Sequence, residues 1–146
     1  MLFRSSDPRE DGTLEDDVRI GTWSMPWNAK PDVKRLASTV PKSHYWATDP
    51  RGIDQVGCVY TAQGFEYDWN GVILGPDLVW RGDRLVADVG ATRDPAFRGK
   101  GAAGFDAFVR NIYKVLLTRG MRGTVLYSTD GETRDLLRSL VNPTAS

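Results

Sequence analysis

Phe105–Leu117 constrains the fold of this chain more than any other segment. Phe105, Phe108, Val109, Ile112, Val115 and Leu116 recur at helical spacing and form one apolar stripe, with Arg110 and Lys114 four residues apart on another face. A helix of this kind must bury its stripe against a sheet or another helix. Apolar, β-prone runs stand on both sides of it, residues 71–75 (GVILG) before and 123–128 (GTVLYS) after. Both are continuous rather than alternating, the pattern of strands covered on both faces of a parallel sheet. Strand, helix and strand in that order predict an α/β domain, a mostly parallel sheet with flanking helices.

The neighbouring segments extend this reading. Residues 56–61 (VGCVYT) predict another parallel strand, and residues 83–89 a strand that forms a hairpin with 78–80 across Arg81-Gly82. Gly120 suits a left-handed cap at the end of the long helix. Residues 132–141 predict a closing helix before Asn142-Pro143, and 91–104 a flexible loop rich in Gly, Ala and basic residues. Residues 18–23 are β-prone, and 32–38 allow one or two helical turns after Pro31. Trp23, Trp27, Tyr45 and Trp46 predict a satellite aromatic cluster, with His44 packed among them or at the surface. Residues 1–16 are polar and aperiodic and read as a disordered or truncation-derived tail. The expected organisation is therefore a tail (1–16), one domain (17–142) and a short second tail (143–146).

Composition excludes several function classes. The 146 residues carry 19 basic and 19 acidic side chains. A pI near 6.6 argues against a dedicated basic nucleic-acid-binding domain. One cysteine, Cys58, excludes a disulfide framework and any multi-cysteine zinc site. With one histidine, His44, the chain alone cannot build a multi-histidine metal centre, and no metal site is expected. No run is long and apolar enough for a membrane span or a signal core, so a cytoplasmic setting is the expectation. The charges are unevenly placed, however. Residues 7–17 carry a local charge of −5, and residues 98–122 carry +5 from Arg98, Lys100, Arg110, Lys114, Arg119 and Arg122 against Asp106. Two solvated faces explain this, and so does an anion-binding region near the second cluster.

Two stretches carry candidate chemistry. In residues 60–68 (YTAQGFEYD), Thr61, Gln63 and Gly64 are expected where a strand ends, the edge at which open α/β sheets bind ligands. Gly64 permits close approach of a phosphate or base, and Glu66 suits a ribose hydroxyl. A β-turn with a surface glutamate fits the same residues. In 111–123 (NIYKVLLTRGMRG), the helix delivers Thr118 and Arg119 just before a strand. An arginine held there can grip a phosphate bidentately, or simply complement the helix dipole.

YTAQGFEYD resembles the fifth conserved motif of superfamily 1 helicases, and NIYKVLLTRGMRG resembles the sixth. With WSMPWN (residues 23–28), GIDQVGCVYTAQGFEYD, GVILGPDLVW and NIYKVLLTRGMRGTVLYSTD, the chain is similar to the Schlafen group-three DNA/RNA helicase domain over residues 18–140. The resemblance implies a RecA-like fold, the second domain of a P-loop NTPase. It implies that Arg119 is an arginine finger on the γ-phosphate of ATP, with Gly64, Glu66 and Arg122 at the nucleotide. It further implies that Thr61, Gln63 and Lys114 contact DNA or RNA.

No G-x-x-x-x-G-K-[ST] phosphate loop occurs; FRGKGAAG has neither its spacing nor a strand before it. No Asp-Glu magnesium motif follows an apolar strand. Both belong to a first RecA-like domain, the implied partner, which would hold most of the ATP and Mg. The chain thus resembles the C-terminal half of a two-domain ATP-dependent helicase or translocase, or a truncated gene product, inactive in ATP hydrolysis alone. The alternative is a nucleic-acid-binding or protein-interaction module that keeps the fold without ATPase activity. A separate enzyme using Asp68, Asp77 or Asp88 has no supporting spacing.

Overall fold

The computed structural model describes residues 6–92 and 104–141. Residues 1–5 of the tail expected at 1–16, the tail expected at 143–146, and most of the expected basic loop with Arg98 and Lys100 lie outside the described residues. The chain divides into two compact units with the boundary between Phe65 and Glu66.

The first unit is held by short pairings. Strands β1 (Val18–Ile20) and β2 (Trp23–Met25) form an antiparallel hairpin, with Gly21 at φ +59° in its turn. Isolated bridges join Ser6 to Ala29, Pro8 to Leu14 and Trp27 to Val56. Leu14, Trp27, Ala29, Cys58, Val59 and Ala62 are buried. Residues 6–16, expected as tail, are mostly exposed but touch the unit at a few points. Ser6 and Leu14 are buried, and the acidic run is offset locally by Arg9 on Glu15 and Lys30 on Asp7. Gly12, at φ +84°, lies so close to Leu36 and Ala37 that a Cβ would come within 2.5 Å of the Ala37 nitrogen.

Two further expectations are corrected in this unit. Residues 32–38 hold no helix and are irregular apart from a bend at Lys34 and turns at either end. The expected strand at 56–61 contributes only the Val56 bridge, and the backbone then turns into a helical turn, α1 (Val59–Ala62). Of the four aromatics, Trp27 is buried, whereas Trp23 and Tyr45 are largely exposed. Trp46 donates from Nε1 to the Gln55 carbonyl at 3.1 Å, and its ring covers Gly57, where a Cβ would meet it at 2.3 Å. His44 lies against Tyr45 with ring centroids 4.1 Å apart and the planes tilted by 52°.

The second unit contains the strand–helix–strand arrangement. Strands β3 (Tyr67–Leu74) and β6 (Gly120–Ser128) pair in parallel, and the helix α2 (Phe105–Leu117) lies between them in sequence. The α2 stripe buries Phe105 and Val109, and Val72 and Leu74 of β3 are buried too. Each such side chain contributes about 1.5–3 kcal/mol on removal from water. Asn70 Nδ2 donates at 2.7 Å to the Leu116 carbonyl, which also accepts from the Arg119 amide at 3.3 Å, so the strand is tied to the end of α2. The antiparallel hairpin β4 (Leu78–Arg81) and β5 (Arg84–Ala87) turns through Gly82 at φ +66°. The closing helix is α3 (Gly131–Val141).

Among the described residues the architecture is thus mixed α/β, with three small two-stranded sheets and three α-helices beside three short 3-10 helices. The expected mostly parallel sheet reduces to one parallel pair, because residues 56–61 leave the extended conformation and the other two sheets are antiparallel. Gly120 is corrected as well. It has no positive φ and opens β6 instead. The register slips between Tyr67 and Trp69, and a Cβ on Gly120 would lie 2.2 Å from the Gly123 carbonyl oxygen. At Gly123 a Cβ would meet the Trp69 ring at 2.4 Å. Close backbone and ring approach, not a helix cap, explains both glycines of RGMRG.

Candidate nucleotide and nucleic-acid interface

The unit boundary falls inside YTAQGFEYD, so its residues are described on two separate bodies. On the first, α1 and its C-terminal residue Gln63 carry Thr61, Gln63 and Gly64. Gln63 and Gly64 are exposed. A Cβ built on Gly64 meets no atom within 4 Å, so no close contact of the chain requires glycine there. Thr61 is partly buried, and its hydroxyl turns inward, 2.9 Å from the Cys58 carbonyl and 3.3 Å from Asn28 Oδ1.

On the second body, Tyr67 pairs with Gly120, and the Tyr67 amide donates to the Arg119 carbonyl at 2.9 Å. Glu66 and Arg119 each stand one residue before that paired position. They therefore sit side by side at the amino end of the parallel pair, about 5 Å apart by strand spacing. The carboxyl-end location expected for Thr61, Gln63 and Gly64 is corrected, because the strand expected before them gives way to α1. The carboxyl end holds a different feature, a buried network in which the Tyr113 hydroxyl donates to Asp77 Oδ1 and accepts from the Gly75 amide, each at 2.8 Å. Burial, and the Asp77 charge beside it, push the Tyr113 phenol far above its ordinary range.

Charge sorts the basic residues into two groups. Arg110 is engaged by Asp106 at 2.7 Å, four residues back on α2. Arg81 grips Asp130 with two bonds of 2.8 and 2.9 Å and also reaches Glu132. That guanidinium, with the Thr133 hydroxyl and amide, holds the Asp130 carboxyl well below the usual carboxylate range. By contrast, Lys114, Arg119 and Arg122 form no ion pair with a described carboxylate. Arg119 donates from Nε to the Val115 carbonyl at 3.1 Å and from Nη2 toward the Thr118 hydroxyl at 3.4 Å. Its stem is thereby fixed while Nη1 has no acceptor among the described residues.

The carboxylates weighed for a separate enzyme do not converge. Asp77 is buried against Tyr113, Asp88 caps a 3-10 turn through the Gly90 amide, and Asp68 is exposed on β3. Among the described residues no group of three or more His, Cys, Asp or Glu could hold a metal ion. No described helix is long and apolar enough to cross a membrane. Sequence reasoning missed Asn28, which is wholly buried and holds α1, and the Asp77–Tyr113 pair. Asn28 follows Pro-Trp in an aperiodic stretch, and Gly-Pro-Asp at 75–77 reads as an exposed turn, so neither has a periodic signal of burial.

The parallel pair of β3 and β6, with α2 between them in sequence, places this unit in the mixed α/β class. The model of the Schlafen group 3, DNA/RNA helicase domain matches residues 3–130, and the chain belongs to that family. The uncharacterised protein YPL245W of Saccharomyces cerevisiae is 34% identical over 105 residues, which cover 63% of this chain and 22% of that protein. The match thus spans about a fifth of the relative's length. No solved structure matches the chain significantly.

Proposed function

We propose that this chain acts as the C-terminal RecA-like domain of a superfamily 1-type, ATP-dependent DNA/RNA helicase or nucleic-acid translocase. Its partner is an N-terminal RecA-like domain that carries the phosphate-binding loop and most of the ATP and Mg contacts, in the cytoplasm. The observation that carries the reading is Arg119, whose guanidinium has no carboxylate partner among the described residues and whose stem is held by its own helix end. An arginine left unneutralised in this way is available for a γ-phosphate, and it stays charged at any working pH. In this reading Arg119 stabilises charge developing in phosphoryl transfer, Glu66 holds the ribose, and Gly64 and Arg122 approach the nucleotide. Thr61, Gln63 and Lys114 meet the DNA or RNA strand. Half of the catalytic residues lie on the partner, so the isolated chain hydrolyses no ATP. Mixing it with a family member's N-terminal half should restore hydrolysis stimulated by single-stranded nucleic acid. Equal hydrolysis by the N-terminal half with and without this chain would refute the proposal.

A second reading, a nucleic-acid-binding module without a motor, is favoured by one observation. Trp69 is 64% exposed on the same sheet face as Tyr127, over which Arg134 stacks at 5.5 Å. Exposed rings and cations bind single strands by stacking and charge. This reading expects salt-sensitive binding without nucleotide, weakened by Lys114→Ala and Arg122→Ala.

A further inference from the structure

Asn28 is 0% exposed, and its side chain is fully engaged. Oδ1 accepts from the Cys58 amide at 2.8 Å and from the Thr61 hydroxyl at 3.3 Å. Nδ2 donates to the Ala29 carbonyl at 3.0 Å and toward the Ser43 hydroxyl at 3.3 Å. Its main chain is paired as well, the amide to Val56 O and the carbonyl to the Ser6 amide. The side chain therefore joins residues 43 and 58–61 to position 28, and the main chain adds residues 6 and 56.

The position of α1 depends on this side chain. Cys58 is the residue that starts α1, and its own side chain makes no capping bond. The turn has only four residues, too short to be stable from helix formation alone. The acceptor that fixes its first residue comes from 30 positions earlier in the chain. The Thr61 hydroxyl, 2.9 Å from the Cys58 carbonyl, also lies 3.3 Å from this oxygen, and Gln63 caps the turn directly after Ala62.

We infer that Asn28 is a positioning residue, whose carboxamide, with the inward-turned Thr61 hydroxyl against it, orients α1 so that the exposed Gln63 and Gly64 are presented to a single strand of DNA or RNA. This rests on the reading that residues 61–64 meet nucleic acid. Ser43 supplies an internal control, because its hydroxyl touches the same carboxamide on the side away from α1.

Two measurements on the full chain separate the parts of this inference. Amide hydrogen exchange should show the Cys58 amide at least tenfold faster in Asn28→Ala, and unchanged within twofold in Ser43→Ala. Equal protection of Cys58 in wild type and Asn28→Ala overturns the positioning role, whatever the protein binds. Titration with a fluorescent single-stranded oligonucleotide, at a temperature where every variant is folded, reads the function. Asn28→Ala and Thr61→Val should each weaken binding at least fivefold, and the double variant should be no weaker than the worse single one. Thr61→Ser, which keeps the hydroxyl, and Ser43→Ala should stay within twofold of wild type. If Asn28→Ala does not fold, Thr61→Val against Thr61→Ser carries the same test from the other end of the bond. Equal losses in Ser43→Ala and Asn28→Ala show general loosening and overturn the inference. No binding by the wild-type chain overturns the nucleic-acid reading and the functional half of the inference together, while the exchange result still decides the positioning role.

Discussion

Tyr113→Phe removes one oxygen atom and leaves two buried groups without the partner they share. Tyr113 is 2% exposed, and its hydroxyl accepts from the Gly75 amide and donates to Asp77 Oδ1, each at 2.8 Å. Without the hydroxyl, the Gly75 N–H loses its acceptor and Asp77 loses a donor, at a cost of about 1–3 kcal/mol each. The phenyl ring keeps its apolar contacts and no longer desolvates a hydroxyl, so the net expectation is about 2–4 kcal/mol. For a chain of this size that lowers Tm by roughly 6–16 °C. Urea denaturation followed by circular dichroism measures the difference directly. The network also predicts an alkaline effect. Burial raises the folded-state pKa of Tyr113, so its stabilisation is complete below about pH 10, the ordinary tyrosine value, and declines as pH rises above it. Wild type should therefore lose stability above pH 10 more steeply than Tyr113→Phe. A cost below about 0.5 kcal/mol, with parallel alkaline profiles, would show that the hydroxyl does not hold the carboxyl end of β3.

Other outcomes follow from the same packing. Asp130→Ala removes the carboxylate that accepts from the Thr133 amide at the start of α3, at a cost of about 1 kcal/mol. The folded Asp130 pKa is depressed, so its contribution is present above the ordinary aspartate value and fades as pH falls below about 4; the wild-type advantage in urea midpoint should shrink between pH 6 and pH 3. Gly120→Ala places a Cβ against the Gly123 carbonyl and should destabilise by about 1–3 kcal/mol. Gly123→Ala meets the exposed Trp69 ring, which can swing away, so it should cost less and shift the tryptophan emission. Equal costs in thermal melts would contradict the close backbone approach at Gly120. Asn70→Ala removes the shortest bond to the Leu116 carbonyl, which keeps the Arg119 amide at 3.3 Å, and should lower stability in urea by about 0.5–1.5 kcal/mol.

How far the sequence disclosed these features depended on periodicity. The α2 stripe, at constant helical spacing, located that helix at residues 105–117, and the runs on either side located β3 and β6. The hairpin at 78–87 was legible from its turn residues. What escaped were features set by long-range bonds. Residues 56–61 have strand propensity, yet the Asn28 carboxamide takes the Cys58 amide and the chain turns into α1. Residues 6–16 look like solvated tail, yet Arg9 and Lys30 offset their acids and Leu14 is buried. Gly120 reads as a cap, whereas a register slip in the parallel pair requires it. Within the candidate site, motif order put Glu66 and Arg119 in one region, but only the register of β3 and β6 placed them side by side, at the amino end.

The most direct measurement is nucleic-acid-stimulated ATP hydrolysis by this chain mixed with the N-terminal half of a family member, comparing Arg119 with Arg119→Ala. An arginine finger contributes about 10³–10⁵ in rate. Arg119→Ala should therefore reduce kcat to near the rate of the N-terminal half alone, with the chain still folded and Arg119→Lys only partly active. An Arg119→Ala variant hydrolysing ATP at the wild-type rate would contradict the central role given to this residue.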